Sequence, residues 1–349
     1  MLKRLSMLYT MKTISLQDIS TALKVSKSTI SYVLNGRGDE KRISLTTQEK
    51  IKDYAEIHNY KPNPLARSLI LGKSNVIGFI LPNIADSFFA RISSSIEKKA
   101  MQYGYEVVFK STGENQAREE KSIQSMLDRN VDGLIIASSQ KNEKDILRLT
   151  QNKFPLVLID RHYPAISTNF VGLNDGQGIA LLIEHLLKLG RKRIGLVTLN
   201  MELLTLKLRL NSYLETMKLN GHEVEEGFVQ QLDYDHTDND MERIIKDMLS
   251  QSVGVDSLVF STQFLAADGI KTLKALNVKI PEDLAIVSYG NKKDFDLFQT
   301  PITAINFPVE EIGEKAVDIL MENIKDKNMK SKEVYFNTEL IVRESCGNY

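Results

Sequence analysis

Between Ser26 and Asn35 the chain reads Ser-Lys-Ser-Thr-Ile-Ser-Tyr-Val-Leu-Asn, so hydroxyls, a lysine, a tyrosine and an amide are interleaved with apolar residues. Ile30, Val33 and Leu34 recur at helical spacing, which turns one face inward and leaves Lys27, Ser28, Thr29, Ser31 and Tyr32 on the other. Such groups suit a polyanion. Ser26, Thr29, Ser31 and Asn35 can bond phosphate oxygens, which position without reading sequence, while Lys27, Ser28 and Tyr32 can address base edges.

Other chemistry is missing. The five histidines stand at 58, 162, 185, 222 and 236, with no His-Glu-x-x-His or His-x-His pair to hold a metal. No Gly-x-Ser-x-Gly elbow occurs, and no phosphate loop precedes a Lys-Ser or Lys-Thr pair. Gly176-Gln177-Gly178 follows a strand-like run, but Leu181 takes the third glycine position of a dinucleotide fingerprint. We therefore expect no enzyme activity, no cofactor and no metal. Cys346 is the single cysteine, which excludes a disulfide framework and a cysteine metal cluster and fits a reducing cytoplasm.

Short helices must present the polar groups. Ser15 with Asp18 resembles a capping box, and Leu16, Ile19, Ala22 and Leu23 then recur at helical spacing until Lys24-Val25. Ser26 starts a second helix, which Asn35-Gly36 ends, and a third begins at Thr46 or Thr47, with Glu49 completing a capping box and Ile51, Tyr54 and Ala55 inward. Two short helices joined by a tight turn make a helix-turn-helix, whose second helix enters the major groove. An ordinary three-helix bundle with polar solvent positions fits the same pattern.

Residues 1–73 hold 13 Lys and Arg against 6 Asp and Glu, a balance of +7, so the rest of this neutral chain sums to −7. A basic head on an acidic body suits phosphate binding by one end, although a solvated charged face has the same balance. No run approaches the roughly 18 apolar residues of a membrane span. Met1 to Met11 has neither the apolar stretch nor the cleavage site of an export signal, so a soluble cytoplasmic chain is expected.

From Asn75 onward short apolar runs alternate with helical patterns: Val76 to Leu81, Tyr105 to Phe109, Gly133 to Ala137, Leu156 to Ile159, Ile194 to Leu199, Leu258 to Phe260 and Leu284 to Tyr289. Continuous apolar runs are the strands of parallel sheets covered by helices, and their two groups, divided near Val171 to Asp175, imply two α/β lobes. Ligands in such sheets bind beyond the carboxyl ends of the strands, which makes the interlobe cleft the expected site.

Val25-Ser26, Ser28-Thr29-Ile30-Ser31 and Val33-Leu34-Asn35-Gly36, followed by Pro62-Asn63-Pro64-Leu65-Ala66-Arg67-Ser68-Leu69, resemble the lactose-repressor (LacI/GalR) family of bacterial transcriptional regulators. The likeness runs on to Val342-Arg343-Glu344-Ser345 and so covers nearly the whole chain after Met11. It implies an α/β protein with an all-α helix-turn-helix headpiece over 13–60, a hinge over 61–73, and a two-lobed domain of the periplasmic-binding-protein type I fold over 74–349. That fold consists of doubly wound parallel sheets, and the chain would return to the first lobe after about residue 303. The implied protein is a homodimer that binds a near-palindromic operator in double-stranded DNA, represses transcription and is controlled by a small-molecule effector of carbohydrate type, with no membrane partner. A solute-binding receptor of the same fold is the alternative, and it would need an export signal and no headpiece.

The resemblance implies DNA contacts from Leu16 as well as the second helix, and from Asn63, Ala66, Arg67 and Leu69 in a hinge that turns helical on DNA. There Leu69 would wedge between base pairs in the minor groove; without the resemblance, Leu65 and Leu69 read as the buried side of a linker helix. In the cleft it implies effector contacts from Phe88, Phe89, Asp160, Arg209, Gln263, Phe264, Asn291 and Phe307. Tyr32 stands where the family often has Arg or His, and Gly36 to Ile43 is longer than the usual connection, so Lys41 and Arg42 add phosphate contacts or lie in a solvated loop. Gln263-Phe264 replaces a frequent Asn-Asp, Gly290-Asn291 replaces Asp-Asp, and Phe307 replaces Gln, so carboxylates that commonly hold sugar hydroxyls are absent at these positions.

Overall fold

The structure, a computed structural model, describes residues 14–60, 72–234, 237–250 and 254–347, with the backbone alone at 237–239. The chain divides into two compact units, 1–74 and 75–349.

In the first unit, α1 (Leu16–Leu23), α2 (Lys27–Leu34) and α3 (Leu45–Ile57) close around Ile19, Ile30, Val33 and Ile51, all essentially without solvent contact. Local hydrogen bonds set each start. Ser15 Oγ accepts from the Asp18 amide while the Ser15 amide donates to Asp18 Oδ2 at 2.8 Å, the expected capping box. Lys24 takes the left-handed conformation (φ 52°) that ends α1, and Ser26 then caps α2.

Two local expectations are corrected. Ala22 is exposed, so the inward stripe of α1 is Leu16, Ile19 and Leu23. The third helix begins at Leu45 rather than Thr46 or Thr47, because Ser44 is its cap and accepts from the Thr47 amide. Glu49 then falls beyond the capping position, and Gln48 turns inward, donating to Asp39 Oδ1 at 2.8 Å and to the Ile43 carbonyl at 2.9 Å. A Cβ on the buried Gly38 would lie 2.3 Å from Gln48 Oε1, so any larger residue there would displace the Gln48 side chain that pins the 36–44 connection onto α3.

The second unit holds two six-stranded sheets, ordered β11-β5-β4-β3-β1-β2 and β12-β10-β9-β8-β6-β7, parallel except for β12. The first lobe contains β1 (Val76–Leu81), β2 (Glu106–Ser111), β3 (Gly133–Ile136), β4 (Leu156–Ile159) and β5 (Asn169–Leu173), with α4 (Ser87–Gln102), α5 (Gln116–Asp128) and α6 (Glu143–Gln151) between them. The chain crosses at Asn174 into the second lobe. There it forms α7 (Asp175–Lys188), β6 (Ile194–Leu199), α8 (Leu204–Leu219), β7 (Val229–Leu232), α9 (Thr237–Leu249), β8 (Ser257–Phe260), α10 (Gln263–Ala275), β9 (Ala285–Ser288) and β10 (Thr303–Asn306). It returns through α11 (Val309–Lys325) and β11 (Glu333–Phe336), then crosses again to β12 (Glu339–Ile341).

Strands β3, β4, β6, β8 and β9 are buried along their length, which matches their uninterrupted apolar sequence. Both lobes have helices on both faces, so each sheet has its own core on either side. In each sheet the strand order reverses beside the first strand, between β1 and β3 and between β6 and β8, and a crevice opens at such a switch point. Among the described residues no helix is long and apolar enough to cross a membrane.

Candidate nucleic-acid interface and interlobe cleft

On α2, Lys27 and Ser28 are exposed, and Thr29, Ser31 and Tyr32 are half-buried around the same outer face. Ser26 Oγ accepts from the Thr29 amide at 3.1 Å and lies within 3 Å of the Ser28 and Thr29 hydroxyls, 2.9 and 2.8 Å away. Its first role is therefore to hold the start of α2, where free amides and the helix dipole already favour an anion. Asn35 is similarly occupied: its amide donates to the Ser31 carbonyl at 2.8 Å, closing the end of the helix.

Tyr32 is flanked by cations. Lys41 Nζ sits 5.2 Å and the Arg37 guanidinium 5.8 Å from its ring centroid, and Arg37 pairs with Glu40 at 2.9 Å. The long 36–44 connection therefore returns two positive side chains to the exposed face of α2. Leu16 is half-buried against the headpiece core, which leaves part of its side chain on the surface at the start of α1. Asn63, Ala66, Arg67 and Leu69 lie outside the described residues.

Seven of the eight expected effector residues line one cavity of about 350 Å³ between the lobes, a volume in the range of small-molecule sites. Phe88, Phe89 and Phe307 form an edge-to-face cluster with centroids 5.2 and 5.6 Å apart, and Tyr289 continues it 5.2 Å from Phe307. Phe264 stands at the rim, 6.0 Å from Tyr234. Asn291 is the exception, because Arg343 donates to its Oδ1 from both terminal nitrogens at 3.2 Å and holds it away from the cavity. Its neighbour Gly290 has φ 108°, and a Cβ there would press on Gln263 and Phe307 at 3.2 Å, so a carboxylate side chain at 290 would be strained unless both neighbours gave way.

Arg209, on α8, is buried rather than a surface arginine. Its Nε and Nη2 each reach Asp175 Oδ1 at 2.8 Å, Nη1 donates to the Ser261 carbonyl at 3.0 Å, and the guanidinium stacks 4.1 Å from the Tyr289 ring centroid. Tyr289 Oη also donates to Asp175 Oδ1 at 2.9 Å. Of the five guanidinium N–H groups, two remain for a ligand, and the charge is already matched by Asp175.

The opposite wall is built around Arg161, which pairs bidentately with Glu114 at 2.8 Å on both oxygens and has Nε 3.2 Å from Asp160 Oδ2. Asp160 carries a left-handed backbone, φ 65°, at the end of β4. Burial pushes its carboxyl up to about 6, against the opposing pull of Arg161 and Arg209. A half-buried carboxylate of shifted proton affinity in a cleft, on a left-handed backbone, is a mark of a ligand site.

Glu114, Arg161, Asp175, Tyr289 and Tyr234 were not among the expected residues, yet they line the cavity or hold the groups that do. Only Arg161 had a signal within reach, its place beside Asp160 at the carboxyl end of an apolar run. Among the described residues no three His, Cys, Asp or Glu side chains are grouped to hold a metal.

Comparison with known proteins supplies the frame for both sites. Residues 74–343 match the family described as "Periplasmic binding proteins and sugar binding domain of LacI family", and residues 15–63 match "Bacterial regulatory proteins, lacI family". The chain is 25% identical over 332 residues to the HTH-type transcriptional repressor PurR of Aliivibrio salmonicida, covering 95% of this chain and 98% of that protein. It is 27% identical over 331 residues to the ribose operon repressor of Halalkalibacterium halodurans, covering 95% and 96%. The Lac repressor dimer bound to operator and the anti-inducer ONPF superposes with a TM-score of 0.83 at 21% identity, over 96% of this chain and 99% of that one.

Proposed function

This chain belongs to the LacI family of bacterial regulatory proteins, a transcriptional regulator with a helix-turn-helix DNA-binding domain, and from that premise we propose how its two sites act. The regulator works in the cytoplasm as a homodimer. Two headpieces read the half-sites of a near-palindromic operator, since protein two-fold symmetry is mirrored in the DNA. Lys27, Ser28 and Tyr32 address base edges, and the amides at the start of α2, with Lys41 and Arg37, meet phosphates. Asn63, Ala66, Arg67 and Leu69 complete the contact, with Leu69 as a minor-groove wedge.

The observation that carries the reading is the joining, in one chain, of a headpiece whose outer helix face is polar and cation-flanked to a cleft of ligand size lined by aromatic rings and buried charges. The effector is an uncharged carbohydrate or a derivative. Both arginines of the cavity are already matched by carboxylates, and Asp86 and Asp160 add negative charge, so an anion meets little net attraction. Hydroxyls find donors on Arg209 and acceptors on Asp160, Glu114 and Asp86, while the Phe88–Phe307 cluster offers an apolar face to a sugar ring. A ligand that prefers one lobe arrangement shifts operator affinity through the coupling of the two equilibria, typically about 1–3 kcal/mol.

The test is selection from a library of duplex DNA with the full-length protein at moderate salt, followed by a screen of neutral and phosphorylated sugars for a change in affinity for the selected duplex. A palindromic site, lost in Lys27→Ala and weakened in Leu69→Ala, is expected, with neutral sugars alone shifting it. Binding without sequence preference would overturn the headpiece reading, and a response confined to phosphorylated sugars would overturn the effector class.

A further inference from the structure

Two glutamines span the cleft. Gln263, at the start of α10 in the second lobe, donates through Nε2 to Ser87 Oγ at 2.9 Å and reaches Asp86 Oδ1 at 3.4 Å, both in the first lobe. Gln140 crosses in the other direction. It lies in the loop after β3 in the first lobe, and its Oε1 accepts from the Leu204 amide, the first residue of α8, at 2.7 Å. Its Nε2 donates to the His162 carbonyl of the first lobe at 2.6 Å. The two partners fix the orientation of the amide group, because a backbone N–H requires the oxygen and a carbonyl requires the nitrogen.

Helix α8 has no cap of its own: its N-cap residue is Leu203, which makes no side-chain hydrogen bond. The first amides of a helix lack intrahelical partners, and here one of them is satisfied from across the cleft. Gln140 is held firmly for this task. Its backbone is left-handed (φ 57°), and its amide donates to Ser138 Oγ at 3.1 Å. Ser138 in turn donates to the fully buried Glu119 at 2.8 Å, and Tyr163 Oη lies 2.9 Å from the same hydroxyl. The two ends of the bridge are also well placed, since His162 follows Asp160 and Arg161, and Leu204 opens the helix that carries Arg209.

We propose that Gln140 is a positioning residue for the cleft, a cap supplied to α8 by the opposite lobe that sets how far the lobes close and so where Arg209 stands relative to Asp160. Neither the choice of effector nor the operator enters this inference. Loss of Gln140 would free the first turn of α8 and, because the lobes are then held together on one side less, would also loosen the distant Gln263–Ser87 contact.

Leu204→Pro removes the other half of the bridge with little intrinsic cost. Proline is accepted at the first helical position, and the extended backbone of Leu203 (φ −99°, ψ 132°) is the conformation that a residue before proline prefers. The experiment is amide hydrogen exchange on the full-length protein for Gln140→Ala, Leu204→Pro, the double variant and Leu204→Ala, with Gln140→Glu as a variant that keeps the acceptor but loses the donor to His162. Gln140→Ala and Leu204→Pro are each expected to speed exchange about tenfold, the factor set by one hydrogen bond of ordinary net strength, over 84–90 as well as 203–209, and Gln140→Glu, which still accepts from Leu204, by less. The double variant should match the singles and Leu204→Ala the parent. Faster exchange confined to 203–209 would reduce Gln140 to a local cap, and additive effects in the double variant, or none at all, would overturn the proposal.

Discussion

In the headpiece, Ser26 holds the Thr29 amide three residues on, and Asn35 returns to Ser31 four residues back. In the cleft, Arg209 meets Asp175 at a separation of 34 residues and Ser261 at 52, Arg161 meets Glu114 at 47, and Gln263 meets Ser87 at 176. The difference teaches how each region fails. A group on α2 can be removed and its neighbours rejoin water, whereas removing one partner of a cleft ion pair leaves a largely buried charge without its match.

Asp175→Ala should show this most strongly. It strands the buried Arg209 guanidinium and removes the acceptor of Tyr289 Oη, at a cost of about 3–5 kcal/mol in unfolding of the second unit by denaturant. A loss under about 1 kcal/mol would break the contrast between the regions.

Asp160→Asn should act in the opposite sense. The folded-state carboxyl titrates at about 6, above its ordinary 3.8, so between those values the folded protein keeps a proton that the unfolded chain has released. Stability from this group is therefore full below about 4, falls as pH rises through the window and stays low above about 6. Asparagine removes the slope and tolerates the left-handed backbone, so the variant should gain on the order of 2 kcal/mol at pH 8 and nothing near pH 3.5. Parallel pH–stability curves for the two proteins would refute the assignment.

Effects in the headpiece should be smaller and local. Ser26→Ala should cost about 1 kcal/mol, read as faster amide exchange across 16–57 with the second unit unchanged. Lys41→Met should do least, lowering operator affinity by about fivefold at most and by less once Tyr32 is alanine, because part of its effect runs through an exposed contact with that ring and the rest through phosphate. Additivity of the Lys41 and Tyr32 substitutions would separate the long connection from the reading face.

The same contrast governs what could be read before the fold was known. The caps Ser15 and Ser26 were legible because their partners lie three residues away, and β4 and β6 were legible to the residue because a strand buried on both faces needs an unbroken apolar run. Two edge strands carried no such mark: β7 reads Val-Gln-Gln-Leu and β11 Glu-Val-Tyr-Phe, half exposed, and neither stands out from a loop, whereas the edge strand β2 was legible from its apolar run. Ser44 was missed as the cap of α3 because Thr46, Thr47 and Glu49 imitate the same local signal, and the choice fell to Gln48 turning inward under Gly38.

For the cleft, motif register placed Arg209 and Asp160 but could not say that Asp175 already matches the arginine, that Arg343 takes Asn291 away, or that Gln140 caps a helix in the other lobe. Helical periodicity, capping spacing and apolar runs act over a few residues, and amino-acid order alone settles them along with the class of fold and the family. Which buried charge is matched by which partner depends on elements far apart in sequence that pack together within a folded lobe, Arg209 with Asp175 in the second and Arg161 with Glu114 in the first, and the Gln140 and Gln263 contacts exist only once both lobes have folded.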